Sequence, residues 1–108
     1  MSWTSLCQLD ELSQRSGKYV EIGGFQLAVF LVNGQIHVLD NTCPHAGGNL
    51  FEGEIEDECV ICPWHQWTFR LEDGKLCGAE TVGVSCYPTR LLRREGHPTL
   101  VQADLPVY

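Results

Sequence analysis

Two short segments of this 108-residue chain each combine a cysteine with a histidine, and they restrict the folds open to it. The first is Cys43-Pro44-His45, and the second, after sixteen intervening residues, is Cys62-Pro63-Trp64-His65. A metal centre with these four ligands requires two loops that meet at their tips. Because each proline directly follows its cysteine, it removes one amide donor and fixes the backbone there. The remaining amides of each loop can then point at a bound metal.

The rest of the chain has the alternating pattern of an all-β protein, with glycine and asparagine turns between short runs. Strands are predicted at residues 3–9, 18–22, 25–32, 35–39, 59–61, 66–71, 87–92 and 99–102. The clearest turn signal is Asn33-Gly34, and Asp73-Gly74 is another. Around the first turn, one inward face is predicted for five residues at period two: Ala28, Phe30, Val32, Ile36 and Val38. A short helical turn capped by Asp10 is predicted at residues 10–13.

Composition indicates one modest hydrophobic core, because 44% of the residues are hydrophobic, and we expect a single domain over residues 1–108. The longest apolar run, residues 27–32, is far shorter than the roughly 20 residues that cross a bilayer, so no membrane partner is expected. The formal net charge of −7 disfavours nucleic acid and favours a basic docking surface on a protein partner. Six cysteines without a secretory signal indicate a reducing compartment, so we expect a cytoplasmic protein.

The residue types alone leave two kinds of metal centre open. Zinc accepts the same four donors, and a zinc site would make the chain a stapled protein-binding module. Zinc fingers, however, usually pair cysteine with cysteine and histidine with histidine, whereas each loop here supplies one of each. The Cys43-Pro44-His45 spacing is also tight for a zinc finger.

The two boxes, C-P-H-A-G-G-N-L at residues 43–50 and C-P-W-H-Q-W at residues 62–67, resemble the paired boxes of Rieske proteins. The resemblance implies an antiparallel β-sandwich with a small inserted cluster-binding subdomain at about residues 41–72. It implies one [2Fe–2S] cluster, with Cys43 and Cys62 on one iron and His45 and His65 on the other. One-electron transfer would be the function, with the histidines at the exposed edge of the cluster.

High-potential Rieske proteins carry an extra cysteine in each box and hydroxyl donors to the cluster sulfurs. By resemblance, Gly48 and Trp64 occupy the positions of those cysteines, and Trp67 and Phe69 occupy those of the hydroxyls. Fewer hydrogen bonds to the cluster lower its potential, so we expect a low-potential member. Trp64 is expected to be exposed.

The chain looks similar to the small subunit of assimilatory NAD(P)H nitrite reductase, and the alternative is the ferredoxin of an aromatic-ring dioxygenase system. Either implies a flavin- or NAD(P)H-dependent reductase and a terminal redox enzyme as partners. No catalytic motif is present, so the chain is expected to be an electron-transfer component and not an enzyme by itself.

Two further expectations concern residues outside the boxes. Relatives usually have a proline in a third loop over the cluster, where this chain reads Leu76-Cys77-Gly78-Ala79-Glu80, and Gly78 is expected to allow close approach there. The remaining cysteines, Cys7, Cys59, Cys77 and Cys86, are expected to pack as small hydrophobic residues.

Overall fold

The computed structural model describes residues 2–44, 47–64 and 66–106, and across these residues the protein is built of short β-strands. In chain order they are β1 Ser2–Gln8, β2 Ser16–Ile22, β3 Phe25–Val32, β4 Gln35–Asp40, β5 Glu54–Glu56, β6 Cys59–Ile61, β7 Thr68–Arg70, β8 Lys75–Leu76, β9 Ala79–Gly83, β10 Cys86–Tyr87, β11 Thr89–Arg94 and β12 His97–Leu105. Every pair of neighbouring strands is antiparallel. The predicted all-β class is confirmed.

The strands form three sheets, and the third of them is an insertion into the second. The first sheet has the order β1-β12-β11, and the second has the order β10-β4-β3-β2. The third sheet, β5-β6-β7-β8-β9, occupies the sequence between β4 and β10. One Cys/His segment lies between β4 and β5, and the other lies between β6 and β7. The first candidate ligand segment therefore lies at the start of the insertion, and the second connects two strands of the inserted sheet.

Strand β3 lies at the centre of the molecule, because both of its faces are buried. Its residues Leu27, Ala28, Val29 and Phe30 are all 0% exposed. One face packs in a hydrophobic cluster whose buried members are Ala28, Phe30, Val32, Leu39, Cys43, Leu50, Val60, Cys62, Phe69 and Leu71. The other face packs with buried residues of β1 and β12: Cys7, Val101, Ala103 and Leu105. The two cysteines of the boxes thus belong to one side of a continuous core.

The β3–β4 hairpin turns at Asn33-Gly34 as predicted, but its inward face was predicted wrongly. Val29 pairs with Val38 and Ala28 pairs with Leu39, and directly opposite residues of an antiparallel pair share a face. The five residues predicted to share one face therefore divide between the two clusters. Because of the two-residue turn, even-numbered residues of β3 pair with odd-numbered residues of β4. The even-numbered residues of the two strands therefore lie on opposite faces of the sheet.

Proline explains why one predicted strand is two strands. The run predicted at residues 87–92 is interrupted at Pro88, which lacks an amide donor. Before it, β10 pairs with β4 of the second sheet, and after it, β11 pairs with β12 of the first. Pro88 marks the point where the chain passes between the sheets.

The short helical turn also differs from its prediction. It spans Leu9–Glu11, one residue earlier than expected, and Asp10 lies inside it and does not cap it. The Gln8 amide donates instead to Glu11 Oε2 at 2.7 Å. Within the described ranges, no helix has the length and apolar character needed to span a bilayer.

Candidate metal centre

The two Cys/His segments are closed by the same backbone hydrogen bond. In the first loop the Cys43 amide donates to the Gly48 carbonyl at 2.9 Å, and in the second the Cys62 amide donates to the Trp67 carbonyl at 2.7 Å. Each cysteine therefore begins a six-residue loop that is closed five residues later. His45 and His65 lie outside the described residues, and by sequence each falls inside one of these loops.

The two loop cysteines meet in the interior. Cys43 is 1% exposed and Cys62 is 0% exposed, and both pack in the same buried cluster. Burial raises the pKa of the Cys62 thiol, the Trp64 amide that donates to its sulfur lowers it, and the Cys43 thiol raises it again. Two soft donors held together out of water, with an amide directed at one sulfur, suit a thiophilic metal. Within the described residues, no group of three or more metal-binding side chains forms a cluster.

Because Gly48 has no side chain, the Cys62 sulfur can lie directly against its backbone. A Cβ at this position would lie 2.9 Å from Cys62 Sγ and 3.1 Å from Trp64 Cγ, well inside the roughly 3.5–4.0 Å of a favourable contact. The absence of a Cβ at this glycine therefore allows the backbone of the first loop to approach Cys62 closely. The same geometry places Gly48 against Trp64, so the two positions that would carry extra cysteines are neighbours.

Asn41 anchors the first loop, and it is a site residue that the sequence analysis missed. Its side chain is 1% exposed and donates to Asn49 Oδ1 at 2.9 Å, while its own Oδ1 accepts from the Phe51 amide at 3.0 Å. Its carbonyl accepts from the Leu50 amide at 2.8 Å. These bonds tie the chain before Cys43 to the chain after Gly48. The signal available in the sequence was an asparagine placed two residues before a candidate ligand cysteine.

The second loop is supported by strands β6 and β7 and by an aromatic pair. Gly53 lies directly against the Ile61 carbonyl, where a Cβ would collide with it. Beneath the loop, Phe69 is fully buried and Trp67 packs against it, with ring centroids 6.5 Å apart. Trp64 is 56% exposed, as predicted.

The third segment expected over the site forms a hairpin between β8 and β9. Gly78 has φ +87°, and no described atom lies within 4 Å of where its Cβ would be. Among the described residues, Gly78 therefore supplies a turn and not the close approach that was predicted. The neighbouring Cys77 is exposed, so the prediction that it packs in the interior is wrong.

The remaining cysteines differ in burial. Cys7 lies in the core, as predicted. Cys86 is half-buried against the core, and its thiol donates to the Glu72 carbonyl at 3.4 Å. Cys59 is also half-buried and is not part of either buried cluster.

Together these features define a class of protein. A pair of buried thiols at the tips of two matching loops, on a small sheet inserted into a β-sandwich, is suited to holding an iron–sulfur cluster for electron transfer. Residues 2–88 match the family described as Rieske [2Fe-2S] domain. The chain belongs to this family.

Relatives and solved structures of similar size agree with that assignment. The ferredoxin component of the naphthalene 1,2-dioxygenase/salicylate 5-hydroxylase systems of Ralstonia sp is 30% identical over 91 residues, covering 83% of this chain and 88% of that protein. The alkene monooxygenase ferredoxin of Xanthobacter autotrophicus is 28% identical over 105 residues, covering 96% and 84%. A Mycobacterium tuberculosis protein described as an NADH-dependent nitrite reductase small subunit superposes with a TM-score of 0.83 at 27% identity, covering 98% and 97%.

Family membership answers the question of metal type that the residues left open. The cofactor is one [2Fe–2S] cluster, and the function is electron transfer of the Rieske ferredoxin type. The chain is an electron-transfer component of an oxidoreductase system.

Proposed function

We propose that Cys43 and Cys62 bind one iron of the cluster and that His45 and His65 bind the other. The pair of buried thiols in one core cluster is the observation that carries this assignment. The identical closure of the two loops supports it, because each loop then offers one thiolate and one imidazole from matching positions. The ligand loops and the strands that support them belong to a cluster-binding subdomain at about residues 41–72 of a single domain, 1–108.

The protein's own residues prepare the site for an electron. When bound, the cluster accepts and releases one electron at a time. The core around Cys43 and Cys62 excludes water from the thiolate side. The Trp64 amide donates to one sulfur and so stabilises negative charge there.

The potential lies toward the low end of the Rieske range. Gly48 and Trp64 lie against each other and supply no disulfide, and Trp67 and Phe69 carry no hydroxyl that could donate to a cluster sulfur. Each missing donor makes added negative charge less favourable, which lowers the potential.

The chain passes electrons between two partners in the cytoplasm and performs no substrate chemistry itself. One partner is a flavin- or NAD(P)H-dependent reductase, and the other is a terminal redox enzyme. A groove beside Cys62 and Pro63 is lined by Glu52, Glu54 and Glu56. A partner with a basic docking surface therefore fits this end of the molecule.

The terminal enzyme is of the nitrite reductase type, in which case this chain is its small electron-transfer subunit. The superposition on the M. tuberculosis small subunit over nearly the whole of both chains favours this choice. The second candidate is the ferredoxin of an aromatic-ring dioxygenase system, and the sequence similarity to the Ralstonia ferredoxin favours it.

Spectroscopy on the purified protein tests the ligand assignment. Protein isolated without oxygen is expected to be coloured, to contain iron and sulfide, and to give an EPR signal after reduction. Cys43→Ser is expected to lose most of the cluster, whereas Cys86→Ser, which keeps a donor to the Glu72 carbonyl, retains it. Colourless protein that binds zinc stoichiometrically would overturn the assignment.

Electron delivery tests the partner separately. Reduced protein is mixed with a purified sirohaem nitrite reductase and, in parallel, with the oxygenase component of a ring dioxygenase. Faster oxidation of the cluster by the nitrite reductase supports the first candidate, and faster oxidation by the oxygenase supports the second. Oxidation by neither overturns both partner assignments while the cluster assignment stands.

A further inference from the structure

Two cysteines that have no part in the metal centre lie next to each other on the third sheet. The Sγ atoms of Cys59 and Cys77 are 3.6 Å apart, although the residues are 18 positions apart in sequence. Both are free thiols. A disulfide bond is about 2 Å long, so the two sulfurs must approach by about 1.5 Å to form one, and because β7 lies between the two residues the turn that carries Cys77 must move toward Cys59.

The sheet itself brings the two thiols together. Cys59 on β6 pairs with Arg70 of β7, and the Cys77 amide, at the turn after β8, donates to the Thr68 carbonyl of β7 at 2.9 Å. Thr68 and Arg70 are two residues apart, so they point to the same face of the sheet. Cys59 and Cys77 thus flank β7 from its two edges, with their side chains converging on that face.

The two thiols differ in accessibility. Cys77 is exposed in a turn, where a reagent in solution reaches it directly. Cys59 is half-buried, and burial, followed by its hydrogen bond to Cys77, raises the pKa of the Cys59 thiol to about 11. Because the thiolate is the nucleophile in exchange reactions, the raised pKa of Cys59 slows its reaction with an external disulfide. The exposed Cys77 therefore reacts first, and Cys59 then attacks the resulting mixed disulfide.

We propose that Cys59 and Cys77 form a reversible intrachain disulfide when the protein meets a low-molecular-weight disulfide such as oxidised glutathione. The Cys77 thiolate attacks one sulfur of the glutathione disulfide, which breaks that bond and releases one glutathione thiol. The Cys59 thiolate then attacks Cys77 Sγ and displaces the second glutathione. The two protein thiols lose two electrons and two protons, and one glutathione disulfide becomes two thiols.

The other cysteines do not offer the same chemistry. Cys43 and Cys62 are buried in the metal centre, Cys7 is in the core, and the Cys86 thiol is directed at backbone carbonyls. The disulfide links β6, which leads into the second ligand loop, to the turn beyond β8. In the reducing compartment proposed above, a bond of this kind is transient and forms when oxidant is present.

Mass spectrometry of the holoprotein after treatment with oxidised glutathione tests the proposal. Without oxygen, the wild-type protein is expected to lose two hydrogens, and peptide mapping is expected to find a Cys59–Cys77 crosslink that dithiothreitol reverses. In Cys59→Ser, Cys77 is expected to retain one glutathione. In Cys77→Ser, neither the adduct nor the crosslink forms, and Cys86→Ser behaves as wild type.

Three results would overturn the proposal: a stable glutathione adduct on wild-type Cys77 without the crosslink, no reaction at Cys77, or a crosslink between other cysteines. Visible absorption of the cluster, recorded for each variant before treatment, shows that the variant is folded. If Cys59→Ser lacks that absorption, Cys59→Ala is used for the same measurement. The thiol readout does not depend on which residues bind the cluster, so it separates this proposal from the ligand assignment.

Discussion

Gly48 is a position in the metal centre where one added carbon atom would press on a candidate ligand. Gly48→Ala places a methyl group 2.9 Å from Cys62 Sγ, and this overpacking is expected to lower the free energy of unfolding by about 1–3 kcal/mol. Release of the cluster to a chelator, followed by visible absorption, should accelerate by about tenfold or more. Gly96→Ala is the control, because its Cβ meets no described atom within 4 Å and tests only the strain of φ +76°. Equal release rates in the two variants would contradict this reading of Gly48.

The proposed histidine ligands carry a prediction about potential. Replacing a neutral imidazole with a charged thiolate makes the reduced cluster less favourable. His65→Cys is therefore expected to retain a cluster whose potential, measured by voltammetry, is lower by on the order of 100 mV. His97→Cys, which changes a histidine at the start of β12, should leave the potential where it was. An unchanged or raised potential in His65→Cys would show that His65 is not a ligand.

His37 is a half-buried titratable group outside the metal centre. Burial lowers the pKa of His37, opposed by Glu58 and Glu72 and by its hydrogen bond to the Leu71 carbonyl. Because the pKa of His37 is lower in the folded protein than in the unfolded chain, neutral His37 contributes to stability above the unfolded pKa of about 6.5. That contribution is lost as pH falls. Between about pH 7.5 and pH 5, the melting temperature should fall less in His37→Gln than in the wild type. Parallel falls in both proteins would show that His37 does not contribute to the pH dependence.

At the scale of the elements, the loop that carries the first proposed ligands depends on one buried asparagine. Asn41→Ala removes the hydrogen bond to Asn49 and leaves the Phe51 amide without its acceptor. The free energy of unfolding is expected to fall by about 1–3 kcal/mol. We expect cluster release to a chelator to accelerate by about tenfold. Thr42→Ala is the matched control in the same loop, since it loses only an exposed 3.3 Å bond to Gln26. If both variants release the cluster at the wild-type rate, Asn41 does not hold the loop.

Hairpins and loops were predictable to different degrees, for physical reasons. Asn33-Gly34 marks a turn because its positive φ angles require such residues, and strands 25–32 and 59–61 were predicted with their observed bounds. Strands β5, β8 and β9 were not predicted, because their short segments lack the run of apolar residues that marked strand 59–61. The face of β4 was assigned wrongly because burial on both sides of β3 removes the alternation that would set the register.

The spacing of the candidate ligands was readable, whereas the residues that hold them were not. The Cys43 and Cys62 thiols meet because two loops fold onto the same core cluster, as the matching boxes predicted. Asn41 and the Cys59 and Cys77 pair became visible only in three dimensions. Their contacts join residues 8–18 positions apart across strand pairings that no local pattern specifies.

At the scale of the whole molecule, charge is unevenly distributed over the described surface. The exposed acidic residues between the two proposed ligand loops are Glu52, Glu54, Glu56, Asp57 and Glu58. Strand β11, on the first sheet, carries three of the seven cationic side chains: Arg90, Arg93 and Arg94. The groove at the second ligand loop is thus on the acidic part of a molecule whose net charge is −7, and a basic partner is steered to that part first.

Salt dependence of electron transfer tests this steering. Oxidation of the reduced protein by cytochrome c, a basic electron acceptor, should slow by about tenfold or more as salt shortens the Debye length from about 30 Å to about 3 Å. Oxidation by the ferricyanide anion should instead accelerate, because salt screens a repulsion. The double variant Glu54→Lys/Glu56→Lys should flatten the cytochrome c dependence more than Arg93→Glu/Arg94→Glu steepens it, since only the first pair lies beside the ligand loop. Stopped-flow absorption of the cluster measures each rate, and equal effects of the two double variants would mean that net charge, and not the acidic groove, directs the encounter.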